Sequence, residues 1–175
     1  MTPAPRETRL FWATAATVIV ADIVTKWIAE RELLLHQPRQ VIGDYLRWTL
    51  AYNEGAAFSM SLGPYQRYIF GVFALIALYI LWKLLREGQP GDWLRSLAIG
   101  LAWGGALGNL IDRVRHPRGV VDFIDVGLDE RHRFWVFNVA DSGVTVGAIL
   151  LALVLLREDR AEARARRERS ESSAT

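Results

Sequence analysis

The most informative segment of the chain is FWVFNVADSGVTVGAILLALVLL, residues 134–156, in which Asp141 is the one charged residue. As an α-helix, a stretch of this length extends about 34 Å, which is enough to cross about 30 Å of hydrocarbon. Three further stretches are similarly apolar, and the predicted spans cover residues 10–29, 68–85, 94–111 and 134–156. The pattern therefore predicts an all-α membrane protein, a bundle of four transmembrane helices.

The composition argues against several other classes of protein. Of the 175 residues, 51% are hydrophobic, and they are clumped rather than periodic, which argues against a soluble monomer. The chain has no cysteine, so disulfides, thiolate nucleophiles and Cys-ligated metals are excluded. The three histidines lack the helical spacing of a zinc site, and no metal is expected. A net charge of +2 does not indicate a nucleic-acid partner.

The distribution of basic residues predicts the orientation in the membrane. Four spans put both termini on one side, and the loops 30–67 and 112–133 on the other. Eleven Lys and Arg residues lie on the side of the termini, and nine lie in the two longer loops. The positive-inside rule then favours cytoplasmic termini. Residues 1–156 are predicted to form one membrane domain, followed by a charged cytoplasmic tail at 157–175.

The first outer loop contains signals for regular structure. The run YLRWTLAY, residues 45–52, is rich in aromatic and β-favouring residues, and Asn53-Glu54-Gly55 is a turn signal. This pattern predicts a small extracytoplasmic β-sheet. The mildly amphipathic AAFSMSL that follows, ended by Gly63-Pro64, predicts a short surface helix.

Ionisable and amide side chains lie inside or at the edges of the spans, where they are costly and usually face a partner. Asp22 and Lys26 share one helix face, either as an ion pair that orders the first helix or as the wall of a site. Two further groups lie at span ends: Asn109, Asp112 and Arg113 close the third span, and Asn138 and Asp141 share a face of the fourth.

Asp141 needs a reason for its position, because it is expected about seven residues, or roughly 10 Å, inside the membrane end of its span. A helix–helix hydrogen bond or partnership with Arg113 would explain a carboxyl group at this depth. Alternatively, Asp122 in VVDFIDV approaches it from the loop side, whereas Asp125 in the same run is expected to be a solvated loop residue.

Two carboxyl groups that share a proton form a water-activating pair, because they cannot both ionise cheaply. The ionised carboxylate takes a proton from water, and the protonated carboxyl polarises the scissile carbonyl. The rival hydrolytic machinery is a Ser–Lys dyad. Lys26 has no serine near it in its own span, but Ser59 and Ser142 remain open as partners.

Five motifs together resemble one family, the lipoprotein signal peptidases, also called prolipoprotein or type II signal peptidases. They are D-x-x-T-K at 22–26, YNEGAAFS at 52–59, GGALGNLIDR at 104–113, VVDFID at 120–125 and FNVADS at 137–142. Any one of these motifs alone is weak. All five in the family's order, over most of residues 10–156, make the resemblance specific.

The resemblance implies a membrane aspartyl endopeptidase that removes signal peptides from diacylglyceryl-modified prolipoproteins, cutting before the lipidated cysteine. It implies that Asp122 and Asp141 are the catalytic pair. It assigns a supporting polar shell to Asp22, Lys26, Asn53, Gly55, Asn109, Asp112, Arg113 and Asn138. The expected partners are lipidated prolipoproteins and membrane lipid, with no cofactor. A monomer in the bacterial inner membrane, with its site at the periplasmic face, is expected.

The alternative interpretation is a small proton- or ion-conducting membrane protein. Asp22, Lys26 and Asp141 would then form a relay. A relay requires ionisable groups through the whole membrane depth, whereas here they gather in one half, and the interior of the second span has none.

Overall fold

The computed structural model describes residues 5–55 and 65–172. Within these two ranges the chain forms four helices and one three-stranded sheet. The elements in chain order are α1 (Pro5–Glu32), β1 (Arg39–Ile42), β2 (Leu46–Asn53), α2 (Gln66–Glu87), α3 (Trp93–Arg115), β3 (Val120–Val126) and α4 (Val139–Ser172).

All four helices are long and apolar enough to cross a membrane, which confirms the predicted fold class of a transmembrane bundle. In α3, 50% of the most apolar window is buried by protein, against 11% in α2. The buried fraction is larger in α3 because this helix packs against each of the other three helices. The polar side chains at its end therefore face protein rather than lipid.

Glycines allow this close packing. A Cβ on Gly104 of α3 would lie 2.8 Å from the backbone oxygen of Ala15 in α1. A Cβ on Gly147 of α4 would lie 2.6 Å from the backbone oxygen of Ala98 in α3. Because real Cβ atoms do not approach so closely, the two helix pairs depend on the absence of a side chain at these positions.

The sheet lies at the end of the bundle where α1 ends and α4 begins, called the sheet end below. Its strand order is β1-β2-β3, with both pairs antiparallel. The predicted strand at 45–52 is observed as β2, and VVDFIDV is observed as β3. The register places Ala51 opposite Asp122. The predicted short surface helix at AAFSMSL, with Gly63-Pro64, lies outside the described residues.

The start of α4 corrects one prediction. The helix begins at Val139, whereas the fourth span was expected to start at residue 134. The preceding residues approach the sheet, where the backbone of Phe137 pairs with Ile124. Asp141 therefore lies in the first turn of α4, and the expected depth of about seven residues is wrong. The carboxyl group lies at the helix end, where it accepts a helix–helix hydrogen bond from Asn109 of α3.

The charged tail continues α4 without a break as far as Ser172. Its side chains from Arg157 to Arg166 are mostly exposed. The predicted Glu162–Arg166 pair is present at 4.0 Å between Oε2 and Nη2. Both side chains are exposed, so this pair contributes little stability.

Candidate active site

The first turn of α4 is held by a reciprocal pair of hydrogen bonds. The backbone N–H of Asp141 donates to Oδ1 of Asn138 at 2.8 Å, and the backbone N–H of Asn138 donates to Oδ2 of Asp141 at 3.2 Å. This is a capping box, with asparagine at the N-cap and aspartate at the third helical position. The local sequence therefore holds the Asp141 carboxylate at the helix N-terminus, where a negative charge is favoured.

Asp122 reaches the same place from β3. Its side chain is buried, with 2% of its surface exposed. Nδ2 of Asn138 donates to Oδ1 of Asp122 at 2.7 Å. Asn138 is itself fully buried, and it thus contacts both aspartates, Asp122 through its amide nitrogen and Asp141 through its amide oxygen and its backbone. The two predicted catalytic carboxyl groups are brought to one place.

Asn109 from α3 connects these groups to the first helix. Its Nδ2 donates to Oδ1 of Asp141 at 2.8 Å. Its Oδ1 accepts from Nζ of Lys26 and from Nδ2 of Asn138, each at 3.1 Å. Because the lysine can only donate, the oxygen of Asn109 must face it and the nitrogen must face Asp141. The amide orientation, and with it one partner of Asp141, is determined by the lysine.

Lys26 is the centre of a buried ionic cluster. Its Nζ lies 2.6 Å from Oδ2 of Asp22 and 2.8 Å from Oδ2 of Asp112, and all three side chains are buried. The carboxylates also accept backbone N–H groups, Asp22 from Ala140 at 2.9 Å and Asp112 from Val121 at 3.1 Å. The cluster therefore joins α1 and α3 to the beginnings of α4 and β3. The ion pair expected between Asp22 and Lys26 is confirmed, and Asn109 links Lys26 to Asp141.

Asn53 and Gly55 lie where β2 ends, beside Asp122. The side chain of Asn53 is hydrogen-bonded to Asp122, and its Oδ1 accepts the backbone N–H of Gly55 at 2.9 Å. Gly55 has φ of 108°, and a Cβ there would strike the ring of Phe70. Only glycine fits both the backbone conformation and the space.

Arg113 lies at the end of α3 without a carboxylate partner. Its Nη1 donates to the backbone oxygen of Asn109 at 3.1 Å, and its guanidinium lies 5.9 Å from the ring centre of Phe70. In the described part of the chain, no carboxylate oxygen lies within 4.0 Å of it, so partnership with Asp141 is not observed as an ion pair. Its Nε is buried and has no hydrogen-bond partner among the described residues.

The two carboxyl groups have different surroundings. Burial, and then the nearby charge of Asp141, raise the pKa of Asp122 from its ordinary value of 3.8 to about 7, against the opposing hydrogen bonds from Asn53 and Asn138. Asp141 is only half-buried, and each of its oxygens accepts a hydrogen bond. Burial and the neighbouring Asp141 therefore favour a protonated Asp122, and one protonated carboxyl is what a water-activating pair requires.

The position of Asp125 was wrongly predicted from the sequence. Its side chain is buried, with 5% exposed, rather than solvated. Nε of Arg133 donates to its Oδ1 at 2.7 Å, and Oγ1 of Thr49 donates to its Oδ2 at 2.8 Å. Arg133 also donates to the backbone oxygen of Asp44 at 2.7 Å. Arg133 therefore connects β3 to the turn between β1 and β2. The contact with Asp44 could not be predicted locally, because Arg133 and Asp44 are far apart in the chain.

The rival hydrolytic machinery is not assembled by the residues described. Oγ of Ser142 donates to the backbone oxygen of Asn138, and Nζ of Lys26 is occupied by Asp22, Asp112 and Asn109. Ser59 lies outside the described residues. Within residues 5–55 and 65–172, no group of three or more His, Asp or Glu side chains is arranged to hold a metal ion.

A four-helix membrane bundle with two neighbouring carboxyl groups at one end is the architecture expected of a membrane-embedded aspartic peptidase. A family model described as signal peptidase (SPase) II matches residues 14–157. The chain belongs to this family, the lipoprotein signal peptidases, aspartic peptidases that cleave signal peptides from prolipoproteins. The ion-conducting alternative is not favoured.

Individual relatives agree with the family assignment. The chain is 47% identical to a lipoprotein signal peptidase of Pseudomonas syringae pv. tomato over 154 residues, 85% of this chain and 87% of the relative. It is 44% identical to one of Pseudomonas aeruginosa over 151 residues, 83% of this chain and 86% of the relative. A bacterial membrane enzyme solved by the in meso method at 2.3 Å is similar, with a TM-score of 0.74 at 34% identity. That likeness covers 84% of this chain and 87% of the other.

Proposed function

We propose that Asp122 and Asp141 are the catalytic pair with which this bacterial membrane protein cleaves prolipoproteins before their lipidated cysteine. The observation that carries this proposal is buried Asn138, whose side-chain amide donates to the carboxyl of Asp122 and whose backbone N–H donates to the carboxyl of Asp141. An asparagine in this position keeps the two carboxyl groups close in spite of their mutual repulsion.

The proposed reaction uses one water molecule and no cofactor. Ionised Asp141 takes a proton from water as the water oxygen bonds to the scissile carbonyl carbon. Protonated Asp122 transfers its proton to the carbonyl oxygen, which gives a neutral tetrahedral diol. The C–N bond then breaks as Asp141 passes its proton to the leaving nitrogen and Asp122 takes back the hydroxyl proton. Both carboxyl groups return to their starting states, and the products are the signal peptide and the lipidated chain.

The supporting residues act by position in this proposal. Asn109 and Asn138 orient the carboxyl groups, and Lys26 with Asp22 and Asp112 holds α1, α3 and α4 together. Gly55 and Arg113 both lie beside Phe70 of α2. The Nε of Arg113, which has no hydrogen-bond partner among the described residues, is suited to a backbone carbonyl of the substrate.

The proposed setting follows from the chemistry of the substrate. A lipidated precursor presents its cleavage site at the outer leaflet, so the sheet end faces the periplasm and both termini face the cytoplasm, as the distribution of basic residues favours. Residues 1–156 then form the peptidase domain, and 157–175 form a cytoplasmic tail. We propose that it acts as a monomer surrounded by lipid, since each named site residue comes from one chain.

The test is cleavage of a lipidated prolipoprotein by the purified protein in detergent, with and without a chelator. We expect cleavage before the lipidated cysteine in both conditions, and none of the same precursor before lipidation. Loss of activity with the chelator that added metal restores would contradict the aspartyl pair. Cleavage without lipidation would contradict the assigned substrate.

A further inference from the structure

A groove lies between the last turns of α1 and the sheet, on the opposite side of β3 from the aspartate pair. It has a volume of about 600 Å³, within the range of sites that bind small molecules. Its apolar walls, called the lipid groove below, are Ile28, Ala29, Leu33, Val41, Trp48 and Phe123. Trp48 and Phe123 form one wall, with ring centres 5.9 Å apart.

The lipid groove is separate from the active site. Phe123 follows Asp122 in β3, and successive side chains of a strand point to opposite faces. Because the carboxyl of Asp122 faces Asn138, the ring of Phe123 faces away from the site. A ligand in the groove would touch neither aspartate.

The position of the groove along α1 places it at the membrane boundary. The membrane-length part of α1, Arg6–Glu32, is 27 residues, about 40 Å long, and so extends about 10 Å beyond the hydrocarbon. Trp27 is half exposed, and the guanidinium of Arg31 lies 3.8 Å from its ring centre. A tryptophan with a neighbouring arginine is typical of the lipid–water interface. Ile28 therefore lies near the edge of the hydrocarbon, and Glu32 lies about one turn further out.

The mouth of the groove carries one charge of each sign. Glu32 and Arg39 line it, both side chains are exposed, and neither lies within 4.0 Å of an oppositely charged group in the described part of the chain. Two unpaired opposite charges above an apolar floor complement an amphiphile that carries a phosphate and an ammonium. The diacylglyceryl group of a precursor has neither charge.

We propose that the lipid groove binds one acyl chain of a zwitterionic bilayer phospholipid, with its phosphate at Arg39 and its ammonium at Glu32. The bound lipid packs against the face of β3 that carries Phe123 and so stabilises the strand that carries Asp122. This proposal is independent of the peptidase reaction and concerns lipid binding alone.

The test counts phospholipids retained by the detergent-solubilised full chain in native mass spectrometry, titrated with phosphatidylethanolamine. Val41→Trp fills the groove from its half-exposed rim, and Ile42→Trp is the matched control, because Ile42 is the next residue, is exposed and does not line the groove. We expect wild type and Ile42→Trp to retain one lipid. Val41→Trp should bind it about tenfold more weakly, the loss expected when two methylenes are displaced.

A second variant tests the same proposal independently, in case Val41→Trp does not fold. Arg39→Gln changes one exposed charge and should weaken phosphatidylethanolamine binding by about fivefold at low salt, the upper end of the loss expected for one exposed ion pair. It should leave the binding of uncharged diacylglycerol, itself weaker in wild type, unchanged.

Four results would overturn the proposal. The first is equal lipid retention by Val41→Trp and wild type, and the second is stronger binding of phosphatidylglycerol or diacylglycerol than of phosphatidylethanolamine. The third is displacement of the phospholipid by one equivalent of lipidated precursor, and the fourth is no retained lipid in wild type. The third would assign the groove to the substrate, and the fourth to another segment or copy of this chain. Since cleavage is not the readout, an error in the proposed function would leave these results unaffected.

Discussion

The carboxylate of Asp22 accepts the backbone N–H of Ala140 at 2.9 Å across 118 residues of sequence. Ala140 is the second residue of α4, so its N–H has no partner within the helix. The bond therefore ties the start of α4 to the first helix, one residue before Asp141. It gives Asp22 a role that its pairing with Lys26 alone would not explain.

Asp22→Ala should lower stability and activity together. It removes one of two carboxylates from Lys26 and leaves the N–H of Ala140 without its acceptor, and breaking a buried pair typically costs about 3–5 kcal/mol. Thermal unfolding in detergent, membrane yield and cleavage should fall in parallel. Asp22→Asn, which keeps an acceptor for Ala140, should be less affected. A fully stable but inactive Asp22→Ala would place Asp22 closer to the chemistry than we propose.

Asp122→Asn and Asp141→Asn should each abolish cleavage while the protein remains folded and inserted. The amide has nearly the same shape as the carboxyl group, but it neither takes a proton from water nor supplies one to the carbonyl oxygen. Rates of precursor cleavage and thermal unfolding curves check this expectation. Asp159→Asn, an exposed carboxylate on the tail, is the control and should match wild type. Substantial activity in either site variant would refute the assignment of the pair.

The cleavage rate should depend on the protonation of Asp122. Burial and the charge of Asp141 raise its pKa to about 7, so kcat/KM should fall as pH rises through about 7. Asn53→Ala removes a hydrogen bond that lowers this pKa and should move the falling limb to higher pH. Profiles measured from about pH 5 to about pH 9 test both statements. A rate that continues to rise through pH 7 would contradict the protonated role of Asp122.

The pH dependence of folding stability should also reflect the titration of Asp122. Because its pKa is higher in the folded than in the unfolded chain, Asp122 contributes stability below its ordinary value of 3.8 that is lost as pH rises through about 7. Asp122→Asn should remove this part of the pH dependence of unfolding.

Gly105→Ala should strongly destabilise the bundle. A Cβ there would overlap the backbone oxygen of Ala140 and lie 2.9 Å from Cγ2 of Val144, and backbone atoms do not yield easily. Gly71→Ala in α2 is the matched control, because its nearest neighbour would be a leucine methyl at 3.9 Å. That change should be neutral or stabilising by about 0.5–1 kcal/mol. Thermal unfolding of the two variants in one detergent gives the comparison, and equal unfolding temperatures would show that α3 and α4 can separate at this point.

Single cysteines in this Cys-free chain should report the proposed orientation. Gln37→Cys lies between α1 and β1, Gln89→Cys between α2 and α3, and Glu162→Cys in the tail, and all three side chains are exposed. An impermeant thiol reagent added to intact spheroplasts should label only Gln37→Cys. Labelling of the other two variants instead would show that the orientation is inverted. The site would then face the cytoplasm, where it could not reach the lipidated precursor.

Much of this architecture was predictable from local sequence. The four helices follow from apolar length, and β2 follows from the composition of residues 45–52, because both properties belong to contiguous residues. The pairing of Asp122 with Asp141 was inferred from chemistry together with the family resemblance. The short helix expected at AAFSMSL remains a prediction.

The membrane class, the four apolar segments and the set of polar residues that needed partners could therefore be recognised in the sequence. Their partners became known from the folded chain: Asn138 lies between two aspartates, Lys26 between Asp22 and Asp112, and Asp125 against Arg133. The tertiary structure also decided that α4 begins at Val139, because the preceding residues pair with the sheet. The physical reason is that a helix or a strand depends on neighbours in the chain, whereas a buried charge is stabilised by groups that folding brings from distant segments.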